Sequence, residues 1–125
     1  MAGQRSRIAI IDDEPDIAEL FSEGLKMAGF KTCIFEDAED AIEYISLYHS
    51  EIALATVDWG MPLMNGFTII KQISDIDGNI KILLISGYDL TQEQLKVYNN
   101  VTYLVEPITI ATLIETVKKV LFQIK

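Results

Sequence analysis

The sequence predicts an α/β fold: one domain in which helices wrap a parallel β-sheet. Three observations carry this. Short β-rich runs alternate with stretches of helical periodicity along the whole chain, the βαβα order that parallel sheets require. The 125 residues divide into five such units of 25 on average (125/5), so one domain over residues 1–125 leaves no linker or low-complexity segment. Half of the residues are hydrophobic and the mean hydropathy is +0.24, enough to build a core without disulfides.

Each element has its own signal. Arg7-Ile8-Ala9-Ile10-Ile11 reads as a buried strand that stops at Asp12-Asp13. Pro15 suits the first position of a helix, Ile17, Leu20, Phe21, Leu25 and Ala28 recur at helical spacing, and Gly29 fits its end. Asp13 or Glu14 is expected to contribute to capping that helix. Lys31 to Phe35 is a second strand. Asp37 can cap a helix whose apolar face is Ala38, Ala41, Ile42 and Ile45. Ile52 to Val57 is a third strand, ending at Asp58. The run Trp59-Gly60-Met61-Pro62-Leu63-Met64-Asn65-Gly66 is rich in turn residues, and a helix from about Phe67 to Ser74 follows it. Asp77-Gly78-Asn79 is a turn. Ile80 to Ile85 is the most apolar strand and is therefore expected at the centre of the sheet. Thr91-x-x-Gln94 is a capping box for a short helix. Val101 to Val105 is a fifth strand, Pro107 interrupts the chain, and Thr109 caps a last helix carrying Ile110, Leu113, Ile114, Val117, Leu121 and Ile124 on one face.

The formal net charge is −9 and the pI is about 4.4, which disfavours direct nucleic-acid binding and favours attraction of cations. The single Cys33 cannot form an internal disulfide, which fits a reducing compartment. The polar N-terminus MAGQRSR does not read as a secretory signal, and no apolar run approaches the roughly 18 residues of a membrane span. A cytoplasmic protein without a membrane partner is the expectation.

In an open parallel sheet, ligands bind outside the carboxyl ends of the strands. Strand one ends there in Asp12, Asp13 and Glu14, strand three in Asp58, strand four in Ser86 and Gly87, and strand five in Glu106 and Pro107. Acids in such places often only cap helices, but Asp58 has no helix starting at once behind it. Three aspartates converging on one edge form a hard oxygen site suited to Mg²⁺ with retained waters. An aspartate beside the metal can attack a phosphoryl group, and a hydroxyl and backbone amides opposite it would hold phosphoryl oxygens.

Asp12-Asp13, Asp58 with Met61-Pro62 and Gly66 beyond it, Ser86-Gly87, Tyr103 and Pro107 together make the whole chain resemble the receiver domain of two-component response regulators. The resemblance implies a flavodoxin-like, doubly wound sheet of five parallel strands in order 2-1-3-4-5 with five helices. It implies that Asp58 accepts a phosphoryl group from a sensor histidine kinase or phosphotransfer protein. It implies that Asp13, Asp58 and the backbone carbonyl of Gly60 hold Mg²⁺, with Asp12 reaching the metal through water. Ser86 and Tyr103 would couple phosphorylation to the face of helix four, strand five and helix five, through which a downstream protein, a fused output domain or a second copy could be engaged.

One position departs from the family pattern. Receivers place a lysine before the proline that follows strand five, and this chain has Glu106. The five carboxyl-edge loops hold eleven acids (Asp12, Asp13, Glu14, Asp16, Glu36, Asp37, Glu39, Asp40, Asp58, Asp89 and Glu106) and no Lys or Arg. Two readings therefore stand: a phosphorylatable receiver, and a phosphorylation-impaired pseudo-receiver that serves as a protein-binding module. Neither is an enzyme. A third, a phosphohydrolase with its nucleophile on strand one, would need Asp-x-Asp where the chain has Asp12-Asp13-Glu14. His49, the only histidine, reads as a surface residue, Cys33 as a small core residue, Trp59 as a partly exposed reporter of the site, and Tyr88 as a shield over it.

Overall fold

A computed structural model describes residues 5–87 and 98–122. The elements are β1 (Arg7–Ile11), α1 (Pro15–Met27), β2 (Lys31–Phe35), α2 (Ala38–Tyr48), a short 3₁₀ turn (His49–Glu51), β3 (Ile52–Asp58), α3 (Gly66–Ile76), β4 (Lys81–Ser86), β5 (Val101–Val105) and α4 (Ile110–Phe122). All strands are parallel, in the order β2-β1-β3-β4-β5. The described residues hold four α-helices. The helix expected at Thr91 and the side chain of Tyr88 lie outside them.

The period-two alternation of a strand divides the core into two layers. Ile8 and Ile10 of β1, Leu54 of β3, and Leu83 and Ile85 of β4 face one way, and Ala18, Phe21 and Leu25 of α1 and Leu113 and Val117 of α4 cover them. Ala9, Ile11, Ala55, Val57, Ile82 and Leu84 face the other way, under Ala41 and Ile45 of α2 and Ile69, Ile70 and Ile73 of α3. Covering both faces explains why the strands read as unbroken apolar runs.

The central strand is β3, not β4. Composition did not separate them, because both have neighbours on each side and helices on each face, and β3 uses small Ala53, Ala55 and Thr56 where β4 uses Leu and Ile. Helix α3 also runs two residues past the expected Ser74, to Ile76. The close of α1 follows its sequence signal. Gly29 has φ +99°, its amide donates to the carbonyl of Lys26, and the amide of Phe30 donates to that of Leu25. Those two bonds are a Schellman ending, which satisfies carbonyls the helix would otherwise leave unpaired. Asp37 and Thr109 cap α2 and α4 as expected, through the amides of Glu39 and Thr112.

Candidate functional site

Strand register builds the site. Ile11 pairs with Val57, Asp58 with Ile85, and Ser86 with Val105, so the residues just past those pairs share one edge of the sheet. The ladders continue one step outward. The amide of Asp12 donates to the carbonyl of Phe35 at 3.0 Å, that of Trp59 to Ile85 at 2.9 Å, and that of Glu106 to Ser86 at 2.7 Å. Asp12, Trp59 and Glu106 are thereby fixed by backbone hydrogen bonds, Asp58 lies just before Trp59 in register with Ile85, and the Glu106–Pro107 peptide bond is cis.

A cleft of about 390 Å³ opens at this edge, lined by Asp12, Asp13, Glu14, Asp58, Trp59, Gly60, Gly87, Glu106 and Pro107 and, on one side, by Ile17, Leu20, Phe21, Ile85 and Ile108. Carboxylate oxygens of Asp12, Asp13 and Asp58 lie within 4.8 Å of one another. Asp12 is buried, Asp58 is half-buried and Asp13 is exposed. Asp12 Oδ1 accepts the amide of Glu14 at 2.9 Å, and Asp58 Oδ1 accepts the amide of Gly60 at 3.1 Å. Neither Asp13 nor Glu14 makes a side-chain cap on α1. Glu14 occupies the cap position without a cap bond, and the turn is closed from Asp12 instead.

Burial pushes the Asp12 carboxyl up to about 7, against the Glu14 amide that favours the charged form, and the charges of Asp58, Glu14 and Asp13 add to the rise. Asp58 is raised for the same reasons: burial first, then the negative charge of Asp13, opposed by the Gly60 amide. Glu106 is raised by burial, then by Asp58 and Glu14. No Lys or Arg lines the cleft among the described residues.

The site residues expected from sequence fall into two groups. Asp12, Asp13, Asp58, Gly60, Gly87 and Glu106 come together around the cleft. Ser86 is buried at the end of β4, next to the cleft-lining Ile85 and Gly87. Tyr103 stands apart from the cleft. It pairs with Leu84 in the interior of the ladder and packs half-buried on the layer under α2 and α3. The apolar side of the cleft was not anticipated. Leu20 shares the helical spacing of Ile17, Phe21 and Leu25, yet it is 49% exposed. Its one distinguishing signal is that Ile17, Phe21 and Leu25 already fill the inward stripe. Trp59 is half-buried as expected, held edge-on against Phe67 with ring centroids 4.7 Å apart.

Comparison with known proteins places this geometry. The response regulator receiver domain family matches residues 8–118. The chain belongs to that family. The receiver is 29% identical over 114 residues to the heme response regulator HssR of Staphylococcus saprophyticus, covering 90% of this chain and 50% of that protein. It is 28% identical over 118 residues to the sporulation initiation phosphotransferase F of Bacillus subtilis, covering 92% of this chain and 93% of that one. It thus spans half the length of the first relative and nearly all of the second. Among solved structures, the receiver domain of the hybrid histidine kinase CckA superposes with a TM-score of 0.80 at 30% identity, covering 92% of this chain and 98% of that one. A CheY-like receiver from Methanospirillum hungatei reaches 0.85 at 22% identity over 96% of both chains and shares the fold.

The receiver's donor set fits a divalent metal ion. Three carboxylates with oxygens within 4.8 Å offer hard ligands only, and their mutual repulsion is relieved by a bound cation. No described helix is long and apolar enough to cross a membrane.

Proposed function

We propose that this receiver accepts a phosphoryl group on Asp58 in a Mg²⁺-dependent reaction and passes the signal to a protein partner. The observation that carries the reading is the juxtaposition of Asp58 with Asp12 and Asp13 at one sheet edge. A carboxylate oxygen of Asp58 attacks phosphorus in a phosphohistidine of a sensor kinase or phosphotransfer protein. The phosphorus–nitrogen bond breaks, the imidazole leaves with the electron pair and takes up a proton from water, and an acyl phosphate forms. Asp12 and Asp13 would hold Mg²⁺ together with Asp58 and the backbone of Gly60. The bound ion supplies positive charge where phosphoryl oxygens accumulate negative charge. The Gly60 amide, already donating to Asp58, holds the nucleophile in place. Ser86, at the end of β4, would meet the phosphoryl oxygens, and Tyr103 would answer through β5 toward a downstream protein or fused output domain. A second reading, a phosphorylation-impaired binding module, is favoured by Glu106 and by a cleft without lysine or arginine among the described residues.

Incubation with acetyl phosphate and Mg²⁺, followed by intact mass, tests the first reading. The wild type should gain one phosphoryl group, and Asp58→Asn should gain none. Label retained on Asp58→Asn would place the nucleophile elsewhere, and no gain by any variant would leave the binding module.

A further inference from the structure

The phosphoryl site has two unlike walls. One is acidic, with Asp12, Asp13, Asp58, Glu14 and Glu106. The other is an apolar shelf made by α1 and the segment after β5, where Leu20 is 49% exposed, Pro107 is exposed, and Ile17 and Ile108 are half-buried. A phosphoryl group added to Asp58 brings further negative charge into a cleft that holds no described Lys or Arg. A divalent cation on the three aspartates leaves the carboxylate of Glu106, on the β5 side, uncompensated. A long side chain with an apolar stem and a cationic head matches both walls at once: the stem lies on the shelf and the head meets the acids.

We propose that the shelf and cleft dock a phosphodonor protein that supplies this cation itself, a lysine or arginine entering beside Glu106. The proposal rests on Asp58 being the phosphoacceptor. It commits to a partner surface that is basic and apolar, chosen by charge complementarity with the acidic wall. Small phosphodonors carry no such group, so they work on an incomplete site, and only the docked donor completes it.

Chemical rescue tests this without knowing the partner. Phosphorylation by acetyl phosphate and Mg²⁺ is timed by intact mass, with added butylammonium, ammonium or sodium chloride at matched ionic strength. Wild type should be slow. Butylammonium should accelerate it at least tenfold with a saturating dependence, at lower concentration than ammonium, because the alkyl chain finds the shelf. Leu20→Ser, at an exposed position, should erase the difference between the two amines. Glu106→Lys should be fast and indifferent to added amine. Equal acceleration by sodium chloride would reduce the effect to screening and overturn the proposal, as would a wild type already as fast as Glu106→Lys. If Glu106→Lys also remains unphosphorylated, Asp58 is not a working phosphoacceptor and the proposal falls with that reading. If Glu106→Lys is fast while no amine rescues wild type, the phosphoacceptor stands and the docked cation does not.

Discussion

Asp12 dominates the energetics of the site because it is the buried member of the cluster. Its folded-state pKa is about 7 against an ordinary 3.8, so the folded chain holds this proton more tightly than the unfolded one. The stability this lends is fully present below pH 3.8 and is lost as pH rises through about 7. A rise from 3.8 to about 7 is roughly 3 units, or on the order of 4 kcal/mol at most. The raised pKa values of Asp58 and Glu106 slope the same way. Melting temperature without metal should therefore fall between about pH 5 and 8, and Asp12→Asn should flatten the fall. If Mg²⁺ binds the folded, ionised cluster as proposed, millimolar Mg²⁺ should raise the melting temperature far more at pH 8 than at pH 5. Asp13→Asn should abolish that increment and the accompanying change in Trp59 fluorescence. An increment independent of pH would separate metal binding from the cluster. Leu63 poses a smaller question: it is fully exposed with φ +68°. The left-handed backbone costs a side-chain-bearing residue about 1–2 kcal/mol, and glycine's extra freedom in the unfolded chain costs about 0.5–1. Leu63→Gly should be neutral to about 1 kcal/mol stabilising in urea unfolding, and a clear loss would show that Leu63 makes a contact worth more than its strain.

At the level of elements, close approach decides two glycines. A Cβ on Gly24 of α1 would sit 2.5 Å from Ile110 Cγ2 at the start of α4, and one on Gly66 would sit 2.6 Å from Trp59 Cε3 and 3.1 Å from Leu84 Cδ1. Inside a helix, Gly→Ala ordinarily gains up to about 1 kcal/mol, whereas overpacking costs about 1–3. Overpacking should win at both sites, with Gly24→Ala loosening α1 from α4 and Gly66→Ala moving the indole. Lowered melting temperatures, and for Gly66→Ala a shifted Trp59 emission, would show it. These contacts mark where sequence reading reached its limit. Strand positions, the caps Asp37 and Thr109 and the Gly29 stop were legible because each depends on neighbours in the chain, whereas the cap expected at Asp13 or Glu14 was misread and that of Asn65 on α3 was missed. The trio Asp12, Asp13 and Asp58 was legible because parallel topology sends every strand end to one edge. Pairings across the fold were not. Asp77, read as a turn residue, accepts Arg5 Nη2 at 2.8 Å across 72 positions, and His49 Nδ1 lies 2.7 Å from the same oxygen. His49, expected as a plain surface residue, is thus tied to a nearly buried acid. Burial alone would raise the Asp77 carboxyl. Hydrogen bonds from His49, the Asn79 amide and Arg5 hold it below the usual range. Arg5 also donates to the carbonyls of His49 and Ile52, so the knot joins the lead-in to β1, the end of α2 and the turn before β4. Asp77→Ala should cost about 1–3 kcal/mol in urea unfolding, and a loss under 0.5 would show that the knot is solvated in solution.

Across the whole molecule, charge is sorted by edge. Acids crowd the carboxyl end of the sheet. At the other end Arg5 and Lys81 line a cleft with Asn79 and an apolar floor of Phe30, Val120 and Phe122. Beside the cleft at Asp58 lies a second acidic hollow, bordered by Glu19, Glu36, Asp37 and Asp40, none of which belongs to the cluster of Asp12, Asp13 and Asp58. Such carboxylates act on a cation at Asp12, Asp13 and Asp58 only through the field. At a separation of ~15 Å in water, a unit charge changes the energy of a divalent ion by roughly 0.5 kcal/mol. Salt removes that contribution, because the screening length is about 10 Å at 0.1 M and about 3 Å at 1 M. Ligands in contact with the ion are screened far less. The double variant Glu36→Gln/Asp40→Asn, which spares the capping Asp37, should therefore weaken Mg²⁺ binding several-fold at low ionic strength and hardly at all at 1 M salt. Asp13→Asn should weaken it at both. Titration of Trp59 fluorescence with Mg²⁺ at the two salt concentrations reads the difference. If the double variant loses as much affinity at 1 M salt as at low salt, the second hollow contributes ligands rather than field, and the metal site extends beyond the three aspartates at the ends of β1 and β3.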